Sequence, residues 1–262
     1  MVVSMGSGNF DKDEKNMIHI VLPAFNEAES LKVLLPELTR TLKSERLQYK
    51  VYVVDDGSSD DTSKVVRNFS VRSPRIKLIV HKINKGLAET INTGFKEALK
   101  RSRSGDILIT MDADNTHLPG LIVRMARLIN EGNDIVISSR FVSGSRVRGV
   151  PLSRRLLSLI GGIIFKILFP IPGVKDYTCG FRAYRVDLIK KGMGIYKDKF
   201  ISEKGFSCMV DILLKLRRLD PICAEVPMIL RYDLKKGKSK MDVSRTIIET
   251  LKLIARRRWF NK

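Results

Sequence analysis

The sequence predicts an α/β protein with a mostly parallel central sheet flanked by helices. Short, continuous apolar runs of five or six residues read as strands buried on both faces. These runs alternate with longer segments of helical periodicity. Acidic and polar residues collect where the runs end, and in a parallel sheet those ends share one rim.

The elements follow in order. Ile18-His19-Ile20-Val21-Leu22-Pro23 reads as the first strand. A helix from Asn26 to Leu42 follows, with Leu31, Leu34, Leu35, Leu38 and Leu42 on one side and Glu27 and Glu29 at its N-terminal end. Lys50 to Val54 is a second strand ending at Asp55-Asp56-Gly57, and Thr62 to Phe69 a helix. Ile76 to Val80, Asp106 to Met111 and Asp134 to Ser138 complete the strands of the first half, with helices over Leu87 to Leu99 and Leu118 to Asn130 between them. Arg140 to Arg155 is basic and rich in Gly and Ser, and Leu156 to Phe169 is strongly apolar. Short segments lead to a strand at Cys223 to Pro227, a Lys/Gly/Ser run from Lys235 to Lys240, and a C-terminal helix from Val243 to Trp259.

Composition bounds the function. The 262 residues fit one large domain, or one domain with an appendage. Forty-eight Lys and Arg against 28 Asp and Glu give a net charge of +20, which favours anionic partners such as phosphorylated substrates or a lipid surface. A nucleic-acid-binding module is disfavoured: charge alone suggests it, and it leaves the acids at the strand ends unexplained. Cys179, Cys208 and Cys223 lack paired spacing, which argues against a disulfide framework or a zinc site. Leu156 to Val174 is too interrupted by Lys166, Gly161-Gly162 and two prolines for a span of about 20 residues.

Asp112-Ala113-Asp114 is the most telling stretch. Alternate residues of an extended chain point the same way, so two carboxylates at a strand end can address one point. Hard oxygen donors there suit Mg²⁺ or Mn²⁺ carrying a diphosphate. Asp55-Asp56 and Pro23-Ala24-Phe25-Asn26-Glu27 would reach the same rim. Clustered carboxylates repel, so a cation or a hydrogen-bonding nucleotide resolves the conflict.

Pro23-Ala24-Phe25-Asn26-Glu27, Val53-Val54-Asp55-Asp56-Gly57-Ser58-Ser59-Asp60, Asn84-Lys85-Gly86-Leu87-Ala88 and Asp112-Ala113-Asp114 together resemble the family-2 inverting glycosyltransferases. More narrowly, Ser138-Ser139-Arg140-Phe141, Asp176-Tyr177-Thr178-Cys179-Gly180-Phe181-Arg182 and the Arg231 to Lys240 segment resemble the dolichyl- and polyprenyl-phosphate mannose synthases and their glucosyl relatives. The resemblance implies a nucleotide-sugar-binding GT-A fold. It also implies transfer of a hexose, with GDP-mannose the first choice of donor and UDP-glucose the second, to a polyprenyl phosphate. A same-fold enzyme acting on a saccharide or protein hydroxyl is the further alternative.

Carried onto this chain, the resemblance puts Pro23, Phe25 and Glu27 at the base and ribose, although Glu27 also reads as a helix-start charge. It puts Asp55 by the base, Asp56 near the ribose or the metal, and Lys85, Gly86 and Ala113 in the donor pocket. Asp60 reads as a helix cap. Asp112 and Asp114 would hold Mg²⁺ or Mn²⁺. The position expected to supply a third ligand is Thr116, so Asn115 or Thr116 offers the remaining protein oxygen. His117 would cap the next helix or touch a phosphate. Arg140 and one of Arg154 or Arg155 would grip the acceptor phosphate, which makes Asp114 and Arg140 the catalytic pair. Arg182, Arg231, Lys238 and Lys240 would add positive charge around the diphosphate.

Leu152 to Val174 sets apolar residues against Arg154, Arg155 and Lys166, and Arg256-Arg257-Arg258-Trp259 ends a similar C-terminal helix, as interfacial helices do. Packing on the core or on another subunit is the alternative. The expected organisation is a disordered leader over 1–15 and a catalytic domain over 16–240, which includes the interface segment 152–174. An amphipathic basic helix over 241–262 completes it. The expected location is peripheral, on the cytoplasmic face of a membrane, with or without a small membrane-protein partner.

Overall fold

The structure, a computed structural model, describes residues 16–150, 152–234, 249 and 251–257, with 152–157 and 234 described by backbone alone. The expected leader, the Lys235–Lys240 run with Lys238 and Lys240, and most of the C-terminal helix lie outside the described residues.

The first half folds as strand and helix in alternation: β1 (Ile18–Ala24), α1 (Ala28–Ser44), β2 (Tyr49–Asp55), α2 (Thr62–Arg72), β3 (Ile76–Val80), α3 (Leu87–Leu99), β4 (Ile107–Thr110), α4 (Gly120–Asn130) and β5 (Ile135–Ser139). Then come β6 (Arg146–Arg148), α5 (Leu152–Leu168), β7 (Arg182–Arg185), α6 (Val186–Tyr196), α7 (Ser207–Leu216), β8 (Cys223–Pro227) and β9 (Ile229–Arg231). Seven strands form one sheet in the order β3-β2-β1-β4-β7-β5-β8, while β6 and β9 pair in a small parallel ribbon. All neighbours in the large sheet run parallel except those of β7, which lies antiparallel between β4 and β5.

The core explains the pattern. The inner strands are buried on both faces: Ile20, Val21 and Leu22 of β1, Val51, Tyr52 and Val53 of β2, and Leu108 and Ile109 of β4 are all inaccessible to solvent. This is why the runs read as continuous rather than alternating. Leu31, Leu34, Leu35, Leu38 and Leu42 of α1 are buried as their spacing predicts. Gly94 brings α3 against β1, since a Cβ there would overlap the Val21 side chain.

The C-terminal helix over 251–257 packs on α7, consistent with the core-packing alternative. Leu253 is buried, Arg257 bonds the buried Asp211, and Arg256 pairs with Glu203 at 2.5 Å. All ten residues of α7 are buried, Asp211 and Lys215 among them, and those two form an ion pair at 2.6 Å. The three cysteines form no disulfide, and burial pushes each thiol up to about 12.

Candidate active site

Chain order reverses about β1: β2 and β3 extend to one side, and β4 opens the other. A crevice beyond the strand ends at such a reversal is the ligand site of open α/β sheets. The segments that flank it here are 25–27 after β1 and 111–117 after β4.

On the β2 side the loops are tied together. Asn26, in left-handed conformation, accepts from the Ser59 amide at 2.8 Å, and its own amide donates to the Ser58 hydroxyl at 2.8 Å. Asp60 accepts from the Thr62 amide at 2.9 Å and the Ala28 amide at 3.1 Å, so it braces the starts of both α1 and α2. Glu27, the residue before α1, accepts from the Ser30 hydroxyl at 2.9 Å. Pro23 and Phe25 are half-buried beside it.

Asp55 and Asp56 are both buried. Asp55 accepts from the Ser58 amide at 3.1 Å and from the Ser63 hydroxyl. Asp56 accepts from the Lys85 amide at 2.9 Å and the Gly86 amide at 2.7 Å, and bonds His81 Nδ1 at 2.7 Å. Asp56, which the sequence reading sets near the ribose or the metal, braces the 84–86 turn with both oxygens. Gly57 is required where that turn crosses: its φ is 71°, and a Cβ would sit 2.7 Å from the Asn84 nitrogen. The Lys85 side chain is exposed.

After β4, Ala113 and Asp114 are buried and Asp112 is partly exposed. Asp112 is 41% exposed, with His117 Nε2 at 3.4 Å. Asp114 is buried and accepts from the Thr116 hydroxyl at 2.6 Å and the Thr116 amide at 3.2 Å. Asn115 makes the turn in left-handed conformation. The donors are all hard oxygens and Asp112 is open to solvent, which fits a Mg²⁺ or Mn²⁺ ion that takes its other ligands from phosphate and water. Among the described residues no three His, Cys, Asp or Glu side chains gather as a metal site. Asp112 and Asp114 are the residues that could hold such an ion, and the Thr116 hydroxyl donates to Asp114.

Arg140 follows β5, two strands from β4 and so about 10 Å along the same rim. It forms a side-on pair with Asp176, Nε to Oδ2 at 2.8 Å and Nη2 to Oδ1 at 2.6 Å, and Nη2 also donates to the Thr178 hydroxyl at 2.6 Å. Burial alone would raise the Asp176 carboxyl, but the charge and hydrogen bonds of Arg140 outweigh it and hold the group below the usual carboxylate range. Sequence reasoning quoted Asp176 and Thr178 within a motif but gave them no role.

Of two expected cations, one is withdrawn into the core and one stands beside the Asp112–Asp114 loop. Arg182 does not line the crevice: it is fully buried, and donates to the carbonyls of Met209 and Tyr177, both at 2.6 Å. It lies on β7, a strand the sequence reading did not identify, and there its charge serves the core. Arg231 pairs with Asp233 at 2.8 Å, while its amide donates to the Thr116 carbonyl at 3.0 Å. It thereby ties the β6–β9 ribbon to the Asp112–Asp114 loop. Arg154 and Arg155 fall on α5, and their side chains lie outside the described residues.

Residues 19–193 match the family described as Glycosyl transferase family 2. A dolichol-phosphate mannosyltransferase of Pyrococcus furiosus is 33% identical over 240 residues, 91% of this chain, which spans only 63% of that relative's length. An undecaprenyl-phosphate mannosyltransferase of Micrococcus luteus is 31% identical over 84% of this chain and 86% of its own. Among solved structures, mannosyl-3-phosphoglycerate synthase from Rubrobacter xylanophilus superposes with a TM-score of 0.62 at 20% identity, covering 92% of this chain and 74% of that one. Glucosyl-3-phosphoglycerate synthase from Mycobacterium tuberculosis, in complex with Mn²⁺, UDP and glucosyl-3-phosphoglycerate, superposes with a TM-score of 0.61 at 19% identity over 92% and 78%. These structures share the fold, and the sequence match gives the family: the chain belongs to glycosyl transferase family 2.

Proposed function

We propose that this protein transfers mannose from GDP-mannose to a polyprenyl phosphate, with inversion at the anomeric carbon and with Mg²⁺ or Mn²⁺ as cofactor. One observation carries the reading. The carboxylates after β4 and the guanidinium after β5 share one rim, beside a helix whose outer face is apolar. The relatives named as dolichol- and undecaprenyl-phosphate mannosyltransferases support the acceptor class.

In this reading Phe25 and Glu27 hold the base and ribose, and Asp112 and Asp114 hold the cation. When bound, the cation offsets the charge of the diphosphate and stabilises its departure. Arg140, with Arg154 or Arg155, orients the acceptor phosphate. A phosphate monoester is largely ionised at neutral pH and needs no strong general base. Its oxygen attacks the anomeric carbon as the bond to the nucleoside diphosphate breaks, so catalysis is chiefly alignment. Leu159, Ile160, Ile163 and Ile167 of α5 are each at least 44% exposed, and this face would rest in the acyl boundary on the cytoplasmic side of a membrane. No helix among the described residues is long and apolar enough to cross one.

The test offers radiolabelled GDP-mannose and UDP-glucose separately to the protein, with polyprenyl phosphate in lipid and Mg²⁺ or Mn²⁺. Label from GDP-mannose should enter a chloroform-soluble product cleaved by mild acid. Label only from UDP-glucose would overturn the donor, and label only in a water-soluble acceptor would overturn the lipid. Asp114→Asn should lose transfer by at least about a hundredfold while keeping its fold; near wild-type turnover would refute the metal assignment.

A further inference from the structure

We infer that Asp176 is a positioning residue for Arg140: it fixes the guanidinium so that only the Nη1 protons remain for an acceptor phosphate. The inference rests on the reading of Arg140 as an acceptor residue and assigns how that residue is presented.

Arginine carries five N–H donors in a rigid fork. In Arg140, Nε donates to Asp176 Oδ2, and Nη2 donates to Asp176 Oδ1 and to the Thr178 hydroxyl. Three donors are thus used, and the two on Nη1 have no partner among the described residues. The Arg140 amide also donates to Asp176 Oδ2 at 3.1 Å, so one carboxylate holds both the backbone and the head of the same residue. Asp176 is fully buried, whereas the Arg140 side chain is 23% exposed. The carboxylate therefore approaches from the protein side and leaves the remaining edge to solvent. Asp176 is itself anchored: its amide donates to Glu225 Oε1 at 2.7 Å, and its Oδ1 accepts from the Cys179 amide at 3.0 Å.

Position gives this pair its purpose. A buried ion pair is weak evidence of added stability, because desolvation consumes most of its attraction. This pair, however, sits at a strand end beside the crevice. Its sequence neighbours Phe141 and Lys175 both meet α5 at Gly162, where an added Cβ would lie 3.7 Å from the Phe141 ring and 3.5 Å from the Lys175 carbonyl. The fixed guanidinium therefore lies at the seam between the sheet rim and the helix with the exposed apolar face. With Asp176 the pair carries no net charge, so Arg140 gives an incoming phosphate direction and distance. Net attraction must come from other cations.

Steady-state kinetics with a short-chain polyprenyl monophosphate in detergent, GDP-mannose and Mn²⁺ test the inference. Asp176→Asn preserves shape but sets an amide against the guanidinium. It should raise the acceptor KM about ten- to a hundredfold, the range seen when a partner that orients a binding group is lost. GDP affinity, measured by calorimetry, should stay within about twofold. In an Arg140→Ala background, Asp176→Asn should cause no further rise, because both changes remove one unit. Thr178→Val leaves Asp176 and its turn in place, releases one Nη2 proton, and should raise the acceptor KM about threefold even if Asp176→Asn fails to fold. Additive losses in the double variant, or equal losses in GDP binding, would mean that Asp176 only supports the fold. An unchanged acceptor KM in Arg140→Ala would instead overturn the acceptor reading, and the inference with it. A normal KM in Thr178→Val and Asp176→Asn beside a raised one in Arg140→Ala would overturn the inference alone.

Discussion

Asp55 and Asp56 stand side by side in the sequence, yet their partners come from different parts of the chain. Asp55 serves its own loop through Ser58 and Ser63. Asp56 binds His81 and two amides of the 84–86 turn, some 25 to 30 residues further on. Asp56→Ala would leave those amides and the imidazole without an acceptor in a buried place. It should cost on the order of 3 kcal/mol of stability, read by urea unfolding. It should also weaken nucleotide binding by loosening the turn. A loss under about 0.5 kcal/mol would show that water replaces the carboxylate and that the brace is dispensable. The residue types at this rim were legible in the sequence, because acids at strand ends need a reason to gather. Their separate duties were not. Asp56, Arg182 and Asp176 are defined by partners brought close only by folding, and nothing local encodes those distances.

Elements were read better than residues, for a physical reason. Strands buried on both faces make uninterrupted apolar runs, and α1 carries a leucine stripe, so each announces itself locally. The sequence reading finds β1 to β5 and β8 to within a residue or so at each end. It misses β7, whose four residues Arg182–Arg185 include two arginines and take their strand form from β4 and β5 on either side. That wedge separates β4 from β5 and sets the width between carboxylates and Arg140, so the least legible strand spaces the site. Close packing between elements is testable at Gly94, where α3 meets β1. Alanine favours a helix by about 1 kcal/mol over glycine. Here its methyl would overlap Val21, and overpacking of this kind costs about 1–3 kcal/mol. Gly94→Ala should therefore lower the urea midpoint, and Val21→Ala in the same chain should recover part of the loss. A stabilised single variant would show that Val21 simply rotates away.

At the scale of the whole molecule, two properties follow from burial and charge. His19 is fully buried between Tyr52 and Asp106, and burial holds its pKa below the usual 6.5 despite the neighbouring carboxylate. The folded protein therefore refuses a proton that the unfolded chain accepts below about pH 6.5. Stability is complete above that pH and falls as pH drops beneath it, by at most about 1.4 kcal/mol per unit. Asp176 shifts the other end: its carboxyl contributes stability that is lost only below the usual carboxylate range, so the two windows separate. Urea midpoints measured from pH 7.5 to pH 5 should decline below 6.5 in the wild type and flatten in His19→Gln. Equal slopes would assign the decline to other groups.

The net charge of +20 and the apolar face of α5 offer two different routes to a membrane, and they can be told apart. Charge alone gives binding that disappears as salt screens it. Inserted side chains give binding that survives salt and scales with buried apolar area. Ile163 and Ile167 are 50% and 72% exposed, so changing both to Asp removes little core packing and should leave the melting temperature unchanged. Burial of two such side chains is worth on the order of 3 kcal/mol, or roughly a hundredfold in affinity. Co-sedimentation with vesicles containing anionic lipid, at 0.5 M salt, should therefore retain the wild type and release Ile163→Asp/Ile167→Asp. Both proteins should still turn over a short-chain acceptor in detergent, since Ile163 and Ile167 face solvent and their replacement leaves the strand-end carboxylates in place. If the doubly substituted protein instead sediments as the wild type does, and both are released by salt, electrostatic attraction alone carries this protein to the vesicles and α5 has no part in docking.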